Sequence, residues 1–186
     1  MIITELLCKI AKILDNLRIP YAVTGGVAVI IWGKPRFTAD IDIIVELISQ
    51  NIKPLAKALL SVDKAVYVSE EAIQDALEHQ GEFNFIHSQS GLKVDFWVKS
   101  SKADIYGKVK FERARVKKIN GQEIRFVSPE DLILSKLFWL KDSESTRHLE
   151  DIKTIIEVQK SKLDMNYIKK WAESQSTIEI LNNVLK

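Results

Sequence analysis

Residues 39–46 restrict what this chain can fold into more than any other segment. Apolar residues stand at every second position, which predicts a β-strand with one face in a core and Asp40 and Asp42 together on the opposite face. At about 3.3 Å of rise per residue, the two aspartate Cα atoms lie about 6.6 Å apart. Carboxylates at that distance can bracket divalent cations, which in two-metal phosphoryl-transfer sites lie roughly 3.5–4 Å from each other.

A glycine pair precedes this strand. Residues 19–23 predict a short strand, and Gly25 and Gly26 open a helix that runs to about Trp32. Backbone without side chains at the start of a helix lets phosphate oxygens approach free N–H groups at the positive end of the helix dipole. Taken alone, a glycine pair is also typical of a turn, and two aspartates on a strand are also typical of a solvated face.

A third acidic residue, Asp95, falls on the polar face of a second predicted strand, residues 92–98. Three carboxylates on one polar face repel each other and shift one another's pKa unless a cation neutralises them. Such a cluster indicates Mg²⁺, because this hard ion takes oxygen ligands and usually shares them with substrate phosphates.

Together these motifs resemble the signature of the DNA polymerase β-type nucleotidyltransferase superfamily. The resemblance spans about residues 19–99 and rests on the glycine pair, the Asp40-Ile41-Asp42 triplet and Asp95. Within the superfamily, the segment 36–42 is similar to the arrangement in the AbiEii-like and aminoglycoside-nucleotidyltransferase-like branches.

The resemblance implies transfer of a nucleoside monophosphate from a nucleoside triphosphate to an acceptor, usually a hydroxyl, with release of pyrophosphate. Asp40 and Asp42 would hold two Mg²⁺ ions, and Asp95 would complete the acceptor-side metal site and help to remove the acceptor's proton. The glycine pair would bind the β- and γ-phosphates, with Arg36 and Thr38 nearby. The acceptor, whether RNA, protein or a small molecule, stays open, as does the base of the triphosphate.

Lys136 is the candidate phosphate ligand outside the acidic residues. It lies in a helix whose start is marked by Ser128 and Pro129. A step of about 100° per residue places Lys136 among leucine and isoleucine side chains, where its ammonium needs a partner or loses its proton. An incoming triphosphate would be such a partner. In the alternative arrangement, the aliphatic part of the lysine side chain lies along the core and the ammonium reaches water. AbiEii-like proteins commonly carry a functional lysine on a helix after the catalytic strands, so the resemblance favours the phosphate role.

Asp151 lies four residues after Arg147 in the next predicted helix. An ordinary surface ion pair at that spacing contributes only about 0.3–0.5 kcal/mol. In the family that this chain resembles, a similar C-terminal Arg/Asp motif faces the active site. Asp151 would there act as a base or orient the acceptor, although Glu150 stands where a basic residue is often found.

The order of predicted elements indicates an α/β (α+β) fold. Strands and helices alternate first and only helices follow, which predicts a small mixed-sheet nucleotidyltransferase core with flanking helices at residues 1–127 and a C-terminal helical subdomain at residues 128–186. Asn120-Gly121 predicts a hairpin turn. The last two predicted helices, residues 163–174 and 178–185, are candidates for completing an acceptor pocket or a homodimer interface.

Composition agrees with a small enzyme. The 186 residues, of which 46% are hydrophobic, suffice for a real core. A formal net charge of +2 gives no indication of a nucleic-acid or membrane partner. Cys8 is the single cysteine, which excludes an intrachain disulfide and fits a reducing, cytoplasmic location. The first residues lack the basic region of a signal peptide, and no membrane span is expected.

Two functional classes fit these observations. One is an enzyme, either an AbiEii-like toxin of a toxin-antitoxin pair that modifies RNA or protein, or a resistance-type enzyme that modifies a small hydroxylated drug. The other is a catalytically silent module that binds a nucleotide or a partner protein through the same scaffold. Basic residues around the predicted hairpin fit contact with RNA phosphates or, more simply, a solvated face. They are Lys108, Lys110, Arg113, Arg115, Lys117, Lys118 and Arg125.

Overall fold

The computed structural model describes residues 1–99, 105–143 and 145–186. In this part of the chain a mixed seven-stranded sheet is combined with helices, which confirms the predicted α/β (α+β) class. The strands are β1 (Tyr21–Thr24), β2 (Asp40–Glu46), β3 (Val66–Tyr67), β4 (Glu82–His87), β5 (Leu92–Lys99), β6 (Arg115–Ile119) and β7 (Gln122–Phe126). The α-helices are α1 (Ile3–Asn16), α2 (Gly25–Trp32), α3 (Ile52–Leu60), α4 (Glu70–His79), α5 (Ile105–Glu112), α6 (Pro129–Leu140), α7 (Thr146–Gln159), α8 (Met165–Ser174) and α9 (Ile178–Val184).

The sheet has the strand order β3-β4-β5-β2-β1-β7-β6. The pairs β2/β5 and β1/β7 are parallel, and the other neighbours are antiparallel. The strand that carries the two neighbouring aspartates therefore lies inside the sheet, between β1 and β5. Because parallel pairing places partner residues on the same face, side chains of β2 and β5 that share a register line one surface.

The described residues divide into two compact units. The first, called the sheet unit below, comprises Met1–Val27 and Phe37–Val127 and contains every strand of the sheet. The second, called the helical unit, comprises Ala28–Arg36 and Ser128–Lys186. The division thus assigns most of α2 and the residues after it to the helical unit, whereas the sequence-based division at residue 127 kept them in the core.

Strand alternation builds the core of the sheet unit. Ile41 and Ile43 in β2 are completely buried, and Phe83 and Phe96 on neighbouring strands stack with ring centroids 4.6 Å apart. A second buried layer comes from α1, whose apolar residues recur at helical spacing. Its buried residues are Leu6, Leu7, Ile10, Ala11 and Leu14.

Hydrogen bonds fix the start of α6 in the helical unit. The Ser128 hydroxyl oxygen accepts a bond from the Asp131 N–H at 3.1 Å, and Pro129 takes the first helical position, as the sequence predicts. Asp131 is fully buried, and the Tyr167 hydroxyl donates to its Oδ1 at 2.7 Å. The bond joins α6 to α8 and satisfies a carboxylate that would otherwise be costly to bury.

Two elements differ from the sequence-based expectation. Helix α5 was not predicted, and it carries Lys108 and Lys110, which the sequence grouped with the basic hairpin. The two-residue strand β3 was also not predicted; it extends the sheet by pairing with β4. The hairpin of β6 and β7 turns at Asn120 and Gly121, as predicted. Within the described residues, no helix is both long and apolar enough to cross a bilayer.

Candidate active site

The register of the sheet brings the predicted acidic residues together. Parallel pairing of β2 with β5 sets Asp42 directly opposite Asp95 and Asp40 opposite Lys93. Antiparallel pairing of β4 with β5 adds Asn84 on the other side of Asp95. We call the surface formed by Asp40, Asp42 and Asp95 the acidic face; it lies entirely within the sheet unit.

Asp42 is held in an environment that disfavours its charge. Burial raises the pKa of its carboxyl group above the ordinary value, and the negative charge of Asp95 raises it further, with a smaller effect from Asp40. Hydrogen bonds from the backbone of Gly26 and the side chain of Trp97 act in the opposite direction. The carboxylates are therefore close enough to repel each other, as the sequence predicts.

Asp95 already has a partner on each carboxylate oxygen. Asn84 donates a short hydrogen bond from its amide nitrogen to Oδ1, and the Lys93 ammonium lies 2.8 Å from Oδ2. The hydrogen bond to Asp95 raises the pKa of Lys93, with burial opposing and the charges of Asp95 and Asp40 contributing further. Lys93 therefore stays charged and partly neutralises the acidic face.

Across the described residues, no group of three or more His, Cys, Asp or Glu side chains is arranged to hold a metal ion. The assignment of Asp40, Asp42 and Asp95 as metal ligands and catalytic residues therefore stays a prediction.

Gly25 has a role that the sequence did not reveal. Its φ of +58° lies in the left-handed region, and a Cβ atom at this position would lie 1.8 Å from Oδ2, 2.4 Å from Cγ and 2.8 Å from Cβ of Asp42. Rotating the carboxylate away would not relieve the contact with the Asp42 Cβ, so the backbone would have to shift. Gly25 therefore allows the start of α2 to pack directly against Asp42, in addition to its predicted role in binding phosphate.

Gly25→Ala is expected to destabilise the protein by more than Gly91→Ala. Both glycines have a positive φ, which costs an alanine about 1 kcal/mol, but a Cβ on Gly91 would meet nothing within 4 Å. The excess loss for Gly25→Ala therefore reports the contact with Asp42. Urea unfolding of both variants provides the measurement, and equal losses in the free energy of unfolding would contradict close packing between Gly25 and Asp42.

Thr38 lies at the entry to β2, where its hydroxyl donates to the Asp40 carbonyl oxygen at 3.3 Å. This bond shapes the backbone just before the acidic face and leaves the phosphate-binding role of Thr38 a prediction. Gly26 contributes its backbone hydrogen bond to Asp42. Both residues belong to the sheet unit, together with the acidic face.

A second polar cluster lies within the helical unit. Arg36 donates from Nε to Oδ1 of Asp151 at 2.7 Å and from Nη2 to Oδ2 at 3.0 Å, and the Lys136 ammonium lies 2.7 Å from Oδ2. The side chains of Asp151 and Lys136 are only 3% and 6% exposed. We call Arg36, Lys136 and Asp151 the Asp151 cluster. Its two-pronged arginine contact is the geometry in which guanidinium binds carboxylate most strongly.

Two sequence-based alternatives are wrong. Asp151 is buried and bound to Arg36 and Lys136, so it does not form an ordinary surface ion pair with Arg147. Lys136 does not leave its ammonium in water, because that group is buried against Asp151. The expectation that the ammonium needs a partner holds, but the partner is a carboxylate of the same unit. The roles of Arg36, Lys136 and Asp151 towards a nucleotide stay predictions.

The Asp151 cluster carries more positive than negative charge. Burial alone would raise the pKa of Asp151, but hydrogen bonds from Arg36 and Lys136 lower it below the ordinary value, so the carboxylate is ionised. His148 lies nearby, and burial, followed by the charge of Lys136, lowers its pKa. At neutral pH the cluster therefore combines two cations with one carboxylate, and the imidazole beside it is neutral.

Sequence reasoning gave no role to three side chains beside the acidic face. Lys93 and Trp97 lie two residues from Asp95 on the same strand, so a period of two puts them on its side without assigning them a function. Asn84 left no signal, because its contact depends on the pairing of β4 with β5. Strand register is decided by packing across the sheet and is not visible in either strand alone.

The fold defines a class of protein. Solved structures with this fold include an antigenic nucleotidyltransferase-like protein from Paracoccidioides brasiliensis, with a TM-score of 0.56 and 19% sequence identity over 95% of this chain and 91% of that chain. A crystal structure of ANT(2'')-Ia in complex with adenylyl-2''-tobramycin has a TM-score of 0.62 and 16% identity over 94% of this chain and 97% of that chain. Lincomycin-bound LnuA, a lincosamide antibiotic adenylyltransferase, has a TM-score of 0.55 and 15% identity over 85% of this chain and 98% of that chain.

A family model assigns the chain more specifically than the fold does. Residues 1–184 match the family described as nucleotidyltransferase of unknown function (DUF6036), and the chain belongs to this family. A search of curated proteins gave no match. Membership confirms the predicted nucleotidyltransferase class.

Proposed function

We propose that the acidic face is the centre of a Mg²⁺-dependent nucleotidyl transfer site. One observation carries the proposal: the register sets Asp42 against Asp95, and burial together with the charge of Asp95 raises the pKa of Asp42. The donor set fits Mg²⁺, because the three residues offer carboxylate oxygens and a cation would offset their repulsion. Bound Mg²⁺, as two ions held by Asp40, Asp42 and Asp95, would neutralise charge on the triphosphate and on the attacking oxygen.

The proposed reaction moves a nucleoside monophosphate from a nucleoside triphosphate to an acceptor hydroxyl. The acceptor oxygen forms a bond to the α-phosphorus, and the bond from that phosphorus to the bridging oxygen of the β-phosphate breaks. Pyrophosphate leaves with the electron pair of that bond, and the hydroxyl proton is taken up by Asp95. The first turn of α2, which begins at Gly25 and Gly26, would bind the β- and γ-phosphates through backbone N–H groups.

The helical unit supplies the positively charged side chains that we assign to phosphate binding. In the Asp151 cluster, the Arg36 guanidinium and the buried Lys136 ammonium both contact one carboxylate, and cations of these two kinds suit a phosphate anion. We assign Lys136 and Arg36 as ligands of the triphosphate. Asp151 is assigned as the residue that holds both cations in place, because its lowered pKa makes it a weak base for removing a proton from the acceptor.

A small hydroxylated molecule is the first acceptor to test. Two of the solved structures with this fold contain an adenylylated aminoglycoside and a lincosamide, respectively. An AbiEii-like toxin that modifies RNA or protein in the cytoplasm is the second candidate, and growth arrest on expression would support it. The rival on the same scaffold is a module that binds a nucleotide or a partner protein without turnover, with the last two helices serving a homodimer or partner interface.

The test is transfer of α-labelled nucleotide by the purified chain. ATP, GTP, CTP and UTP are each offered with Mg²⁺ to separate acceptors: tobramycin, lincomycin, total RNA and a lysate protein fraction. Label that moves to one acceptor, and that is abolished by EDTA, supports transfer and identifies the acceptor class. Bound triphosphate without label transfer to any acceptor or in a whole lysate would favour the silent module.

A further inference from the structure

Lys93 occupies one carboxylate oxygen of Asp95, which is a predicted metal ligand. Its ammonium lies 2.8 Å from Oδ2 of Asp95, and its residue is paired in register with Asp40. Asn84 donates to the other oxygen of Asp95. The ammonium is therefore an internal cation on the acidic face, in contact with Asp95 and close enough to Asp40 to feel its charge.

A divalent cation and this ammonium compete for Asp95. Mg²⁺ binds oxygen ligands at about 2.0–2.1 Å, so an ion on Oδ2 would approach the Lys93 nitrogen closely. Two positive charges a few ångströms apart repel each other strongly in a partly desolvated site. Metal binding at Asp95 therefore requires the Lys93 ammonium to move away from Oδ2 of Asp95 or to interact with it more weakly.

The two partners differ in their freedom to move. The Lys93 side chain is 38% exposed, whereas that of Asp95 is 10% exposed and is also held by Asn84. The lysine has a long flexible stem that can place its charged end in water. When a cation competes, Lys93 is thus the side chain that leaves, and the hydrogen bond from Asn84 keeps the Asp95 carboxylate oriented.

We propose that Lys93 is an internal counter-cation that holds Asp95 until a divalent cation displaces it. The inference rests on the proposed function, since it assumes that Asp95 is a metal ligand. Lys93 acts through Asp95 and is therefore a positioning residue. Its role is to balance the charge of the acidic face before metal binds and to set the affinity for the ion.

Removing the charge of Lys93 should strengthen metal binding. For Lys93→Met we expect the affinity for Mn²⁺ alone, a spectroscopic substitute for Mg²⁺, to rise at least about tenfold, because the variant removes the repulsion of a unit charge a few ångströms from the ion. Lys93→Arg keeps the charge and should stay close to wild type. The charge-matched control is Lys99→Met, at the end of the same strand and in register with Glu46.

Mn²⁺ binding to the full chain is measured by electron paramagnetic resonance, with thermal unfolding as a second readout. A ligand that binds only the folded state raises the melting temperature according to its affinity. We therefore expect a larger Mn²⁺-induced increase in melting temperature for Lys93→Met than for wild type or Lys99→Met. Equal affinities and equal increases for wild type and Lys93→Met would overturn the inference.

Asp42→Asn separates failure of this inference from failure of the proposed function. If Asp42→Asn weakens Mn²⁺ binding while Lys93→Met leaves it unchanged, the metal site stands and the role of Lys93 is overturned. If Mn²⁺ binds none of these proteins, or binds Asp42→Asn as tightly as wild type, the metal site itself is overturned, and the inference with it.

Discussion

Asp42→Asn is expected to lower nucleotidyl transfer by roughly 10²–10⁴-fold while the chain keeps its fold. Metal ions stabilise charge in the transition state by several kcal/mol, and each 1.4 kcal/mol corresponds to a factor of ten in rate. An asparagine keeps the size of the side chain but loses the charge and one carboxylate oxygen. The loss should appear in the transfer of labelled nucleotide to the acceptor identified with the wild-type chain.

The same substitution should stabilise the folded chain at neutral pH. Because folding raises the pKa of Asp42, its ionised form destabilises the folded state, and a neutral amide removes that penalty. A carboxyl group whose pKa is raised by folding makes its full contribution to stability at low pH. That contribution is lost as the pH rises through the folded-state pKa. The advantage of Asp42→Asn should therefore shrink as the pH is lowered and wild-type Asp42 takes up its proton.

Activity and stability measured together make this test specific. Asp75→Asn serves as the control, because Asp75 is an exposed acid of α4 in the same unit. It should change neither quantity. Transfer that survives in Asp42→Asn would contradict the proposed mechanism, whereas lost transfer combined with a lower melting temperature would show that the variant is misfolded.

The acidic face illustrates what the sequence can predict. Alternation alone identified β2 and β5 and placed Asp42 and Asp95 on polar faces, because a period of two is set by local backbone geometry. The pairing of these strands, which makes the two carboxylates neighbours, depends on the sheet order and is not encoded in either segment. The resemblance to a known superfamily supplied that missing information.

The Asp151 cluster illustrates what the sequence cannot predict. Arg36 and Asp151 are far apart in the chain, and spacing within one helix suggested Arg147 as the partner instead. Spacing rules describe neighbours on an exposed helix surface, whereas a buried carboxylate takes whichever cations the tertiary fold places beside it. The apolar neighbours of Lys136 on the helix wheel did predict that a desolvated ammonium there needs a partner, but they left its burial open and did not identify Asp151 as the partner.

Asp151→Asn is expected to destabilise the chain by about 3–5 kcal/mol, the usual cost of removing one partner from a buried ion pair. The amide removes the carboxylate charge that both Arg36 and the buried Lys136 face at 2.7 Å. Because folding lowers the pKa of Asp151, its contribution to stability is complete above the unfolded-state pKa and is lost only as the pH falls through the folded-state value. The destabilisation should thus be constant near neutral pH and shrink only in strongly acidic solution.

Thermal and urea unfolding of Asp151→Asn, compared with Asp142→Asn on an exposed position of the same unit, provide the measurement. Lys136→Met in the Asp151→Asn background removes one of the two cations that faced the lost carboxylate, so the double variant should be less destabilised than the sum of the single effects. Strict additivity would mean that Lys136 and Asp151 do not stabilise each other. Because the coupling energy between Lys136 and Asp151 is measured by unfolding, it tests the cluster without any nucleotide present. A Lys136 held in this way would be fixed before a phosphate arrives, which lowers the entropy cost of binding it.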